Sequence, residues 1–165
     1  MQDSCLVATG SNDKTVKVWD SRSKKSLIKV FKGHMDSVLC LEWLVNERAL
    51  ISGSKDKTIK VWDIRAGKAR VTMAKHFGAV TNLRTLPTAR SDDSIDDNLS
   101  NNQVGFGSVR GADSSTMFMS GARDGMLYVW NSLNGDCLQT TAAHRGVVTS
   151  IGTVSCGDRG QYSLF

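Results

Sequence analysis

The sequence predicts an all-β protein built from repeated antiparallel sheets, and three observations carry that expectation. Apolar residues alternate in steps of two ahead of a tryptophan at three places: Val16 and Val18 before Trp19, Ile59 and Val61 before Trp62, Leu127 and Val129 before Trp130. Such alternation marks a strand with one buried face. Before each run stands a cluster of small and polar residues closed by Asp13, Asp56 or Asp124, the composition of a tight hairpin turn. The whole phrase also recurs: "TGSNDKTVKVWDSR" at 9–22 returns as "SGSKDKTIKVWDIR" at 52–65 and, loosely, as "SGARDGMLYVWNS" at 120–132.

The histidines give the period, which is what separates a repeat architecture from a coincidence of strands. His34, His76 and His144 each stand four residues before a valine: Val38, Val80 and Val148. His34 and His76 are 42 residues apart and Trp19 and Trp62 are 43 apart, whereas His76 and His144 are 68 apart. The 26 extra residues fall between "GAVTNLRTLP" and "MFMSGARDG". That insert, "TARSDDSIDDNLSNNQVGFGSVRGADSS" at 88–115, is rich in Asp, Ser, Asn and Gly and reads as a loop with little to bury.

Taken in order, Gly33–His34, then "SGSKD", then Trp62–Asp63 within one unit resembles the WD-repeat family of β-propellers. The resemblance implies a partial propeller of about three blades of four-stranded antiparallel sheet, with the ring incomplete. Blade one would hold its second to fourth strands in 1–33, blade two 34–75, blade three 76–143 around the insert, and a fourth blade would begin in 144–165. About 13 strands are expected, the last two from "VVTSIGTV" and near "QYSLF". Propellers close with four to eight blades. The start inside one unit and the stop inside another lead us to expect a fragment of a longer chain that supplies the rest of the ring, ahead of completion by another chain.

The family pattern also implies a hydrogen-bonded group in each blade: His34, Ser52, Asp56 and Trp62, then His76, Ser120, Asp124 and Trp130. Thr9, Asp13 and Trp19 stand in blade one with no histidine before them. Ser, His and Asp together could suggest a hydrolase, but a nucleophile occurs once per active site and this set recurs at every period. The expected role is structural, because a buried indole N–H, hydroxyl and imidazole must all find partners. Blade three departs from the pattern at Lys75, where Gly precedes the other early histidine, and at Asn131, where Asp20 and Asp63 stand elsewhere.

Function is then expected from loops on a rigid frame. The resemblance implies a partner-binding face made by the histidine loops and the hairpin turns. The residues expected there are Asn12, Lys55 and Arg123 before each motif Asp, and Met35, Asp36, Phe77 and Arg145 after each His. Leu39, Thr81 and Thr149, one past each valine, are expected to point toward a central channel. Lys55, Arg123 and Arg145 suit an acidic or phosphorylated peptide. Lys17 and Lys60 are expected to lay their stems along the sheet, and Trp43 to pack between blades.

The ending Trp62, Asp63, Ile64 and Arg65 offers an alternative. It matches a box with which some WD-repeat proteins dock on the adaptor of a cullin-RING ubiquitin ligase, Arg65 being the expected contact. Ser94, followed by Ile95, Asp96 and Asp97, is a candidate phosphorylation site for an acid-directed kinase.

Composition narrows the classes. Neither a cleavable leader nor an 18-residue apolar run is present, so membrane insertion is not expected. Cys5, Cys40, Cys137 and Cys156 are scattered without metal-ligand spacing and read as free thiols in a reducing compartment, cytoplasmic or nuclear. The net charge of +5, from 21 basic against 16 acidic residues, is spread over equivalent blade positions and does not form one basic run, which argues against nucleic acid. With no phosphate-binding glycine loop and no unrepeated acid/base pair, no cofactor and no enzymatic activity are expected. Protein or peptide partners remain.

Overall fold

A computed structural model describes residues 6–22, 26–44, 47–86 and 116–153. The described chain is all β, with three antiparallel sheets. The first holds β1 (Leu6–Gly10), β2 (Thr15–Asp20) and β3 (Leu27–Lys32) in the order β1-β2-β3. The second holds β4 (Val38–Leu44), β5 (Ala49–Ser54), β6 (Ile59–Asp63) and β7 (Lys68–Met73), in chain order. The third holds β8 (Val80–Thr85), β9 (Met117–Ala122), β10 (Met126–Asn131) and β11 (Cys137–Ala142), again in chain order. None of the sheets closes on itself. They are the blades of a partial propeller.

The turns follow from their residues. In the hairpins joining β1 to β2 and β5 to β6, Lys14 and Lys57 take left-handed φ values of 70° and 69°, which costs a side-chain-bearing residue about 1–2 kcal/mol. Asp13 and Asp56 hold these turns: each carboxylate accepts the amide of the threonine two residues on at 2.9 Å. Blade three places Gly125 there, with φ 76°. A Cβ on Gly125 would lie 2.1 Å from the His144 carbonyl oxygen, so this turn admits glycine alone.

Two apolar clusters lie between the sheets. Val16, Val18, Phe31, Val38, Leu50 and Trp62 join blades one and two, with Trp43 packed against them, as expected for an inter-blade aromatic. Ile51, Ile59, Val61, Met73, Val80, Phe118, Tyr128 and Trp130 belong to the larger cluster joining blades two and three. At each joint a valine from the following unit abuts a glycine. A Cβ on Gly10, Gly53 or Gly121 would lie 2.6 Å from Cγ1 of Val38, Val80 or Val148, respectively. The close approach lets the backbones lock: Val38 N–H donates to Ser11 O and Val148 N–H to Ala122 O, both at 3.1 Å.

One expectation is corrected. "VVTSIGTV" forms no strand over its described residues, 147–153, although Val148 and Ile151 are buried against blade three. A ladder needs a neighbouring strand, and this segment has none among the described residues. The expected strand near "QYSLF", the insert at 88–115 with Ser94, and Cys5 and Cys156 lie outside the described residues. No helix in the described chain is long and apolar enough to cross a membrane.

Candidate functional site

Trp62 on β6 reaches back over β5, and its Nε1–H donates to Ser52 Oγ at 2.7 Å. His34, from the loop between β3 and β4, lies with Nε2 2.7 Å from the same hydroxyl and Nδ1 2.8 Å from Asp56 Oδ2. The ionised Asp56 carboxylate only accepts, so Nδ1 carries the imidazole proton and donates to it. In the neutral ring Nε2 then accepts the Ser52 hydrogen, while Ser52 Oγ accepts from the Trp62 indole. The carboxylate is filled further by Met35 N–H at 2.8 Å and by the Thr58 amide and hydroxyl at 2.9 and 2.6 Å.

Blade three repeats this arrangement across the insert. Trp130 donates to Ser120 at 2.7 Å, and His76 spans Ser120 at 2.8 Å and Asp124 at 2.9 Å. Asp124 accepts the Phe77 amide at 2.9 Å. In blade one Trp19 donates to Thr9 Oγ1 at 2.9 Å and Asp13 caps Thr15, with no imidazole beside them among the described residues. Thus the structure brings together the two groups of four and leaves a group of three.

Burial holds both imidazoles below their usual pKa, against the opposing pull of Asp56 and Asp124. Burial also works against the Asp56 carboxylate, but hydrogen bonds from Thr58, Met35 and His34 outweigh it and bring its pKa down to about 2. Asp124 shifts the same way: burial opposes the shift, and hydrogen bonds from the Met126 amide, His76 and the Phe77 amide outweigh it. The result is a neutral imidazole hydrogen-bonded to an ionised carboxylate, with no buried side-chain polar atom left unpartnered among the described residues. Ser52 and Ser120 are completely buried, so neither hydroxyl is open to a substrate.

The relay fixes what stands next to it on the surface. Met35 and Phe77 are 79% and 81% exposed, yet each has its backbone N–H on the relay carboxylate. Two large apolar side chains are thereby displayed on pinned backbone. Asn12, Arg123 and Arg145 are exposed nearby in the chain, whereas Lys55 lies 3.9 Å from Asp36 and is partly neutralised by it. Leu39 and Thr81 sit at β-bulges in the β4–β5 and β8–β9 pairings. Leu39 is exposed, but the Thr81 hydroxyl donates to the Gly121 and Val148 carbonyls, which binds it to the inter-blade joint. Thr149 is exposed in the irregular segment.

The sequence profile described as "WD domain, G-beta repeat" matches residues 1–20 and 25–63. Those 59 residues carry WD repeats. A curated relative, the ribosome biogenesis protein WDR12 homolog of Nematostella vectensis, is 43% identical over 37 residues. That match covers 22% of this chain and 9% of the relative, so the chain spans only a small part of it.

Within this WD-repeat frame, sequence reasoning missed two features. Glu47, in the β4–β5 connection, reaches across to blade three, where its carboxylate accepts from Arg70 Nη2, Ser132 Oγ and, at 3.1 Å, Thr116 N–H. Its side chain is almost wholly buried, and nothing in the repeat pattern singles it out. Tyr128 occupies the position of Lys17 and Lys60, and Lys75 has its ammonium 5.4 Å from the Tyr128 ring centroid. Here a signal existed, since Lys75 and Tyr128 depart from the pattern together and form a cation–π pair. Lys60 instead donates to Thr72 at 3.0 Å, and Lys17 lies 3.6 Å from Asp13. On the side away from the relays, Arg65 lines a recess with Glu47, Arg48 and Asp63, and the Asp63 carboxylate accepts the Arg65 and Ala66 amides at 2.8 Å.

Proposed function

We propose that the chain is a non-catalytic scaffold whose relay-side loops bind a protein or peptide partner. The observation that carries this reading is the exposure of Met35 and Phe77 on backbone clamped by Asp56 and Asp124. Apolar groups held rigidly lose little conformational entropy on binding and serve as anchors. Arg123 and Arg145 add cationic groups, so the favoured partner is an acidic or phosphorylated segment with apolar side chains. The free Cys40 and Cys137 support a reducing compartment. The 37-residue match does not carry the relative's role in ribosome biogenesis to this chain. The test is affinity capture followed by measured Kd: Met35→Ser with Phe77→Ser is expected to weaken the captured partner about tenfold or more without lowering the thermal midpoint. Unchanged binding by the double variant would remove this face from consideration.

A second reading takes the chain as a substrate-receptor subunit of a cullin-RING ubiquitin ligase, docking through Trp62, Asp63, Ile64 and Arg65. It is favoured by the Asp63 cap, which fixes the turn from which the exposed Arg65 projects. Trp62 itself is buried, so the contact would fall to Arg65. Capture of the adaptor unchanged by Arg65→Ala would sink it.

A further inference from the structure

Two connections meet at the foot of blade two. In an antiparallel sheet of order β4-β5-β6-β7 the β4–β5 and β6–β7 connections share one end, and the β5–β6 hairpin with its relay aspartate takes the other. Between them lies a recess of about 420 Å³ lined by Glu47, Arg48, Asp63 and Arg65. Blade two packs against a described blade on each side, so both flanks of the recess are in place.

The carboxylates of this recess are already engaged. Glu47 accepts from Arg70, Ser132 and the Thr116 amide, and Asp63 Oδ1 accepts the Arg65 and Ala66 amides, both at 2.8 Å. The guanidinium groups of the recess are not. Arg48 and Arg65 are exposed, and neither side chain makes a hydrogen bond or ion pair among the described residues. Arg48 is also held at a left-handed φ of 50°, where glycine or asparagine would sit with less strain. Strained backbone of this kind collects at binding sites. Arg48, Arg65 and Arg70 outnumber the two carboxylates, and Lys68 opposite Asp63 and the Lys29 side chain against Gly67 add further positive charge.

We propose that this recess is a phosphate site, in which Arg48 and Arg65 receive a phosphorylated serine or threonine side chain of a protein partner. A guanidinium offers paired N–H donors to two oxygens of one anion. Two of them match the three acceptor oxygens and nearly double charge of a phosphate monoester, whereas a lone carboxylate would satisfy one. The recess has room for the side chain and its flanking peptide group beside the phosphate. No aromatic ring lines it for bases to stack on, which disfavours a nucleic-acid strand. The site is separate from the relay-side face of Met35 and Phe77 and does not depend on it.

The test is a proton–nitrogen NMR titration of the chain that follows the Nε–Hε signals of Arg48 and Arg65. A short peptide with one phosphoserine among alanines is expected to shift both signals saturably, and its serine counterpart to shift neither. Arg48→Asn and Arg65→Gln are each expected to weaken binding about tenfold. Because asparagine tolerates the left-handed backbone, the thermal midpoint of Arg48→Asn is expected to hold or rise, which separates a lost contact from a lost fold. This variant also separates the site from the ligase-adaptor reading, which needs only Arg65. The proposal is overturned by the absence of a saturable shift, by shifts confined to Arg123 and Arg145, or by binding indifferent to both substitutions. Inorganic phosphate binding as tightly as the phosphopeptide would assign the recess to a free anion, and tighter binding of oligouridylate would assign it to RNA; either result also overturns it.

Discussion

Blades one and two are written in nearly the same words, yet their tryptophans lead different lives. "TGSNDKTVKVWD" and "SGSKDKTIKVWD" fold into the same hairpin, with the same left-handed lysine, the same Asp cap and a bulge at the same step before the tryptophan. Trp62 is nevertheless buried under Phe31, 5.1 Å between ring centroids, and its Ser52 is joined by His34. Trp19 remains partly exposed and shares only Thr9. Both differences come from the preceding unit, since Phe31 and His34 belong to the chain leading into blade two. A WD-repeat blade therefore depends on its predecessor for its largest side chain and its imidazole.

That comparison can be broken most strongly at the tryptophans. Trp62→Ala is expected to cost about 3–5 kcal/mol, the range for emptying a large aromatic site, and Trp19→Ala less than half as much, as read by urea denaturation. Equal costs would mean that Trp19 is covered as fully as Trp62. Next in size is Gly53→Ala. Its new methyl meets Val80 Cγ1 and Cys40 Sγ, both at 2.6 Å, and the expected loss is about 1–3 kcal/mol by the same measurement.

A pH titration sharpens the comparison through the relays. His34 and His76 have folded pKa values below the ordinary 6.5, so the unfolded chain takes up protons first as pH falls. Their contribution is present above about pH 6.5 and is lost as the pH drops below it. Asp56, at about 2 against 3.8, adds stability that is present above 3.8 and lost toward pH 2, so both terms weaken the fold in acid. The thermal midpoint is expected to fall from pH 7.5 to 5, and His34→Gln with His76→Gln to flatten that fall. The smallest effect belongs to the turns: Lys57→Gly relieves a left-handed side chain and is expected to raise stability by up to about 1 kcal/mol. Gly125→Ala in blade three, driven against His144 O, goes the other way.

Much of this was legible in advance because the repeat states it several times. The alternation before each tryptophan, the Asp-closed turns and the four-residue step from His to Val are local patterns, and β2, β6 and β10 appear where the alternation lies. The two complete relays were legible at the level of residues, even across the insert, since the period aligns His76 with Ser120. Glu47 was not, because its partners Arg70, Thr116 and Ser132 sit at no constant spacing and meet only when two blades stack. The expected strand formed nowhere over 147–153 for a related reason. Apolar alternation proposes a strand, but only a neighbour's backbone makes one.

By itself the sequence determined the strand that carries each tryptophan, the turn before it and the members of each tryptophan's hydrogen-bonded group, because those follow the period of the repeat. Tertiary structure alone decided which tryptophan is covered, which histidine is left exposed and which glycine cannot grow a side chain. The physical reason is that burial is a property of two blades together. A repeat can specify its own hydrogen bonds, whereas its desolvation is supplied by whatever lies against it.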